Sequence, residues 1–88
     1  MIHLSLQEVK TLFERGDAIN PVVSGRGRVW FFEFESNERG TWNKYTIAKQ
    51  RGGRREWADP RVLFDFLFDE FGICSGQFQI KEVNDEEN

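Results

Sequence analysis

Cysteine and histidine are almost missing from this 88-residue chain: Cys74 and His3 are its only examples of each. A single cysteine excludes an internal disulfide framework and a multi-cysteine zinc site. With one histidine beside it, a transition-metal site built from protein ligands alone is not expected. No apolar run approaches the roughly 20 residues that a membrane-spanning helix needs. The opening residues MIHLSLQEVK carry no basic stretch followed by an apolar one, so no secretory signal is expected there, and a cytoplasmic location is. No phosphate loop, dinucleotide fingerprint or nucleophile elbow occurs. There is no internal repeat, low-complexity segment or linker. These absences argue against catalysis and against a cofactor.

Aromatic residues are abundant instead: nine Phe, three Trp and one Tyr. Each buries roughly 150–250 Å², so a few side chains suffice to fill a small core. The length suits one domain. We read residues 1–83 as a single compact domain and 84–88, Asn-Asp-Glu-Glu-Asn, as an acidic tail. The net charge of -3 is unevenly spread: residues 1–21 carry -1, 22–61 carry +4 and 62–88 carry -6. The middle of the chain is therefore a candidate anion-facing surface.

Ser5-Leu6-Gln7-Glu8 has the spacing of a capping box, with Leu4 and Val9 placed as a hydrophobic staple. Leu6, Val9, Leu12 and Phe13 then share one helical face, which predicts a helix over 6–15 ended by Gly16. Val22-Val23 suggests a short strand, and Gly25-Arg26-Gly27-Arg28 a turn. Residues 28–36, rich in aromatics, predict a strand, 37–40 a turn, and 41–49 a second strand. Gly52-Gly53 predicts a hairpin leading into a third strand at 54–57. Asp59-Pro60 has the form of an acidic N-cap with proline at N1, so a second helix should run to Phe71 and stop at Gly72. Its apolar residues cover nearly the whole cylinder, which predicts burial on more than one side. Residues 77–83 predict a last strand, with Phe78 and Ile80 facing in.

Pairing Ser36 with Thr41 sets a register in which Phe34 meets Asn43, Phe32 meets Tyr45 and Trp30 meets Ile47 on the core face. The opposite face then pairs Glu35 with Trp42, Glu33 with Lys44, Phe31 with Thr46 and Val29 with Ala48. A one-residue slip would exchange the faces. Folding at Gly52-Gly53 pairs Arg51 with Arg54, Lys49 with Glu56 and Ala48 with Trp57.

Two candidate sites follow. Arg26, Arg28, Lys49, Arg51, Arg54 and Arg55, with Trp57 beside them, form a basic hairpin. Guanidinium groups bind phosphate and stack on bases, so this cluster is a candidate nucleic-acid surface. The register places Arg28 opposite Lys49, a repulsive pair that an anion would relieve. Against this, the arginines can also pair with Glu38, Glu56 or the acidic tail, and an acidic protein binds DNA poorly without sequence specificity. Val29, Phe31 and Trp42 form the second candidate, an apolar patch on the outer sheet face suited to a protein partner.

Other groups are read as structural. Asp65 and Asp69 share a helix face with Arg61 and fit a solvated stripe. Glu33 and Glu35 are opposed by Lys44 and Trp42 and lack the arrangement of a glycosidase pair. Cys74 follows the end of a helix, where the dipole disfavours a thiolate. The segment LSLQEVKTLFERG resembles the first helix of a helix-turn-helix, but Pro21, a glycine turn and a strand follow where a recognition helix should.

The expected fold is α+β: a small antiparallel sheet, made of a three-stranded meander plus a C-terminal strand, with two helices mainly on one face, in the order α-β-β-β-α-β. The expected function is a non-enzymatic accessory or regulatory interaction module. It would self-associate, as a homodimer, and use the basic hairpin to engage an anionic partner such as nucleic acid. The alternative is a protein–protein adaptor or inhibitor using the outer sheet face or the acidic C-terminal surface.

Overall fold

The computed structural model of the chain describes residues 1–81. The predicted acidic tail and the far end of the last strand lie outside those residues. The order is β1 (Ile2–Leu4), α1 (Leu6–Glu14), β2 (Ala18–Arg26), β3 (Val29–Ser36), β4 (Asn43–Ile47), α2 (Pro60–Phe71) and β5 (Gln77–Ile80). The class is α+β with two helices, as the sequence implies, but the sheet has five strands and is mixed. Its spatial order is β1-β4-β3-β2-β5. The central strands β2, β3 and β4 are antiparallel, whereas β1 joins β4 and β5 joins β2 in parallel. The expected all-antiparallel sheet is corrected at both edges. Parallel edge strands leave no hairpin signal, because β1 leads into a helix and β5 is reached through one.

The local signals for both helices hold. Ser5 N–H donates to Glu8 Oε1 at 2.9 Å and Glu8 N–H donates to Ser5 Oγ at 3.2 Å, completing the capping box. Asp59 caps α2 by accepting from Arg61 N–H at 2.9 Å, Pro60 opens the helix, and Gly72 closes it at φ 70. Gly72 is suited to that left-handed position because it has no Cβ to clash.

Strand β2 is far longer than its Val22-Val23 signal. Asn20 at φ 55 and Pro21 interrupt its pairing with β3 as a bulge, which hides the strand from a pattern search. The turn to β3 is only Gly27-Arg28, so Gly25 and Arg26 belong to the strand. Gly25 lies opposite Trp30, and a Cβ there would fall 2.8 Å from the Trp30 Cα.

Between β3 and β4 the register is Phe34 with Tyr45, Glu35 with Lys44 and Ser36 with Asn43. It is displaced by two residues from the Ser36–Thr41 expectation, because the connection is longer than a four-residue turn. An even displacement preserves the faces. Trp30, Phe32 and Phe34 therefore still point to the core. Tyr45 Oη donates to Glu38 in that connection at 3.2 Å, and burial, helped by this bond, raises the tyrosine pKa.

The predicted third strand is reduced to single bridges. Residues 54–57 enter between β3 and β4 where these diverge, bridging Trp57 to Trp30 and Arg54 to Ala48. The expected Ala48–Trp57 pairing is thus replaced by Ala48–Arg54.

Both helices pack on the face bearing Trp30, Phe32 and Phe34. Val9 and Leu12 of α1 and Leu63 and Leu67 of α2 are buried there with Val23, Tyr45 and Ile47. Phe13 joins the layers, its ring centroid 5.1 Å from both Phe34 and Phe71.

Candidate functional site

The predicted basic cluster divides. Successive residues on an extended segment point to opposite sides of the sheet, and Arg54 and Arg55 do so. Arg54 lies on the helix-free face, its guanidinium carbon 3.8 Å from the Phe31 ring centroid and its Nη2 2.9 Å from Glu56 Oε2. Arg55 lies on the helix face, 4.9 Å above Trp57 and 4.6 Å above Phe66. Trp57 is half-buried against Phe66, at 5.1 Å. Arg26, Arg28, Lys49 and Arg51 are exposed. Arg28 does not oppose Lys49 but occupies the β2–β3 turn. Its charge is close enough to Asp59 to contribute to lowering that carboxyl. The larger cause is the Arg61 side chain, which donates to both Asp59 oxygens, at 3.2 and 2.9 Å, and is itself held more firmly protonated.

The predicted outer patch also separates. Phe31 is only 2% exposed, closed over by Arg54 and by Lys81, whose ammonium stands 5.6 Å from its ring. Lys81 also approaches Glu33 at 3.5 Å, neutralising a carboxylate that is itself buried. Val29 is half-buried at the start of β3. Trp42, 57% exposed, sits in the connection beyond the other end of that strand. Long cationic side chains lay their stems over apolar surface, and this is what turns an expected exposed phenylalanine into a buried one.

A different apolar surface is present. A groove of about 480 Å³ runs between α2 and β5, lined by Pro21, Val23, Phe64, Phe68, Ile73 and Phe78 among others. Helix α2 turns Leu63 and Leu67 to the core, and this rotation leaves Phe64 45% and Phe68 59% exposed. On β5, Phe78 is 53% exposed although it stacks on Trp30 at 5.5 Å, and Ile80 is 68% exposed. Phe64 and Phe78 approach to 6.1 Å, so helix and strand form one continuous strip. Cys74 lies at its border, exposed, with its thiol 3.6 Å from Gly72 O. Among the described residues, no charged side chain lines the groove. Among the described residues no group of three His, Cys, Asp or Glu could hold a metal ion, and no helix is long and apolar enough to cross a membrane.

Phe64, Phe68, Phe78 and Ile80 were not singled out by sequence reasoning as a surface. The signal lay in α2, whose apolar residues surround the cylinder while the sheet covers only one side of it.

Comparison with protein-family models, characterised proteins and solved structures finds no match to this chain.

Proposed function

We propose that this chain is a non-catalytic interaction module that docks a protein through the strip formed by α2 and β5. The observation that carries the reading is the continuity of Phe64, Phe68, Phe78 and Ile80 along β5, the edge strand of the sheet among the described residues. Exposed apolar patches of a few hundred Å² are often interaction sites in small proteins, because burying them against a partner releases their hydration. The groove lining supports the same reading, since among the described residues it holds no carboxylate, histidine or lysine, and Cys74 at its border has no histidine beside it to activate the thiol. A protein ligand is favoured over nucleic acid by the division of the arginines. Arg54 is engaged with Phe31 and Glu56, and Arg55 with Trp57 and Phe66, on opposite faces.

The test is photo-crosslinking in living cells, with p-benzoyl-phenylalanine introduced in place of Phe68 or, as a control, of Arg51. A protein adduct from position 68 and none from 51 is the expected result. Nucleic-acid adducts from 51, with nothing from 68, would overturn the reading in favour of the basic hairpin.

A further inference from the structure

We infer that the protein docked on this strip is a second copy of the chain, joined by antiparallel pairing of β5 with β5 about a two-fold axis at Gln79. This rests on the α2–β5 strip being the docking surface.

The backbone fixes which groups are available. Lys81 N–H donates to Gly25 O at 3.0 Å, toward β2. Backbone direction alternates along a strand, so the polar groups of Gln79 and Gln77 also face β2, and those of Phe78 and Ile80 face away from it, toward an edge that no other described strand pairs. Within β5 itself Gln77, Phe78, Gln79 and Ile80 include no proline and no charge; its shortness, four residues followed by Lys81, limits the pairing to this segment.

Symmetry then selects the register. A two-fold axis normal to the sheet keeps each side chain on its own face, so it allows only pairings that oppose like-facing residues. Setting Phe78 against Ile80 of the copy, and Ile80 against its Phe78, uses both outward-facing residues of each strand and closes four backbone hydrogen bonds. Centring the axis on Phe78 would oppose Ile80 to Gly76, which lies outside the strand. The chosen axis also sets both α2 helices on one side of a continuous sheet. Phe64 and Phe68 of each copy then approach the apolar strip of the other. The four exposed side chains present roughly 450 Å² per protomer, taking about 200 Å² for each when fully exposed. That is about half of the 800 Å² or so that each partner buries in a standard interface. The paired backbone and the groove walls extend it.

The experiment uses the purified full chain. Sedimentation equilibrium should give about twice the monomer mass of 10.4 kDa. Ile80→Pro deletes one outward N–H without touching the β2 ladder and should weaken association at least tenfold, with the monomer's circular dichroism unchanged. A crosslink provides the positive test and does not depend on that variant's folding. Gln79 meets its own copy as a non-hydrogen-bonded pair with Cα atoms about 4.5 Å apart, within reach of a disulfide. In a Cys74→Ser background, Gln79→Cys should form a covalent dimer on mild oxidation. Gln77→Cys should not, because its copy lies about 13 Å away along the strands. A monomeric mass at millimolar concentration, or crosslinking that is equal at 77 and 79, overturns the pairing. A monomer that gives adducts from position 68 with another protein in cells overturns this inference and leaves the docking surface standing. No adduct from position 68 removes both.

Discussion

The strands β1 and β5 close the two ends of the same sheet, each joined in parallel to an antiparallel core, and they are finished differently. At the β1 edge Leu4 is buried, and its carbonyl accepts from Ala48 N–H at 2.8 Å. Helix α1 starts two residues later and adds Val9 and Leu12 to the same core. At the β5 edge all four residues are exposed, including two large apolar ones on the helix face. The difference lies in which side of each helix meets its neighbours. Helix α1 has one apolar face and buries it. Helix α2 has more apolar surface than one sheet and one helix can cover, and its excess falls beside β5. An edge is finished by the element that packs over it, not by the way the strand is paired.

Leu4→Ala should have the largest effect on this comparison. Removing a buried leucine costs about 2–5 kcal/mol. Its counterpart Ile80→Ala should change monomer stability by less than about 0.5 kcal/mol, as expected for an exposed position. Urea denaturation at a concentration that dissociates any dimer reads both. Equal losses would show that the two edges are equivalent in the monomer.

Gly25→Ala comes next. Gly25 pairs with Trp30 on one side and Ile80 on the other, and a Cβ would run into Val29 O as well as the Trp30 backbone. Overpacking of this kind costs about 1–3 kcal/mol. It should also release β5, seen as faster amide exchange at Phe78 to Lys81 than at Ile2 to Leu4.

The smallest effect concerns the start of α2, the helix responsible for the asymmetry. The folded state holds the Asp59 carboxyl below its ordinary pKa, chiefly through the Arg61 side chain. Its contribution is therefore present above the ordinary carboxylate range and is lost as pH falls through the depressed value. Asp59→Asn retains a capping side chain without the titration. The stability gap between wild type and Asp59→Asn should be widest near neutral pH and should narrow in acid. A gap independent of pH would show that the Asp59–Arg61 pair contributes nothing.

Much of the fold is legible where the chemistry is local. The capping box at Ser5 and Glu8, the Asp59-Pro60 start and the Gly72 stop all act within a few residues, and each appears as expected. The core face of β3 is legible too, because alternation is a property of the strand alone. What fails depends on distance. The register with β4 follows the length of a connection that composition does not set. Strand β1 is three residues long, and nothing nearby marks it as a partner of Tyr45 to Ile47. Phe31 looks exposed by alternation and is closed over by Arg54 and by Lys81, the latter fifty residues away in the sequence. The basic cluster fails for a related reason: charges close in sequence diverge across the two faces of an extended segment.

The sequence by itself determined an α+β chain with an aromatic core, two capped helices and a surplus of apolar surface on the second of them. Those properties follow from residue type and short-range spacing. Only the tertiary structure decided where the surplus falls. The rotation of α2 that buries Leu63 and Leu67 turns Phe64 and Phe68 toward β5, and the parallel docking of β5 on β2 leaves Phe78 and Ile80 beside them. Hydrophobic burial is non-directional, so a count of apolar residues fixes how much surface seeks cover. The packing of the elements fixes which surface remains.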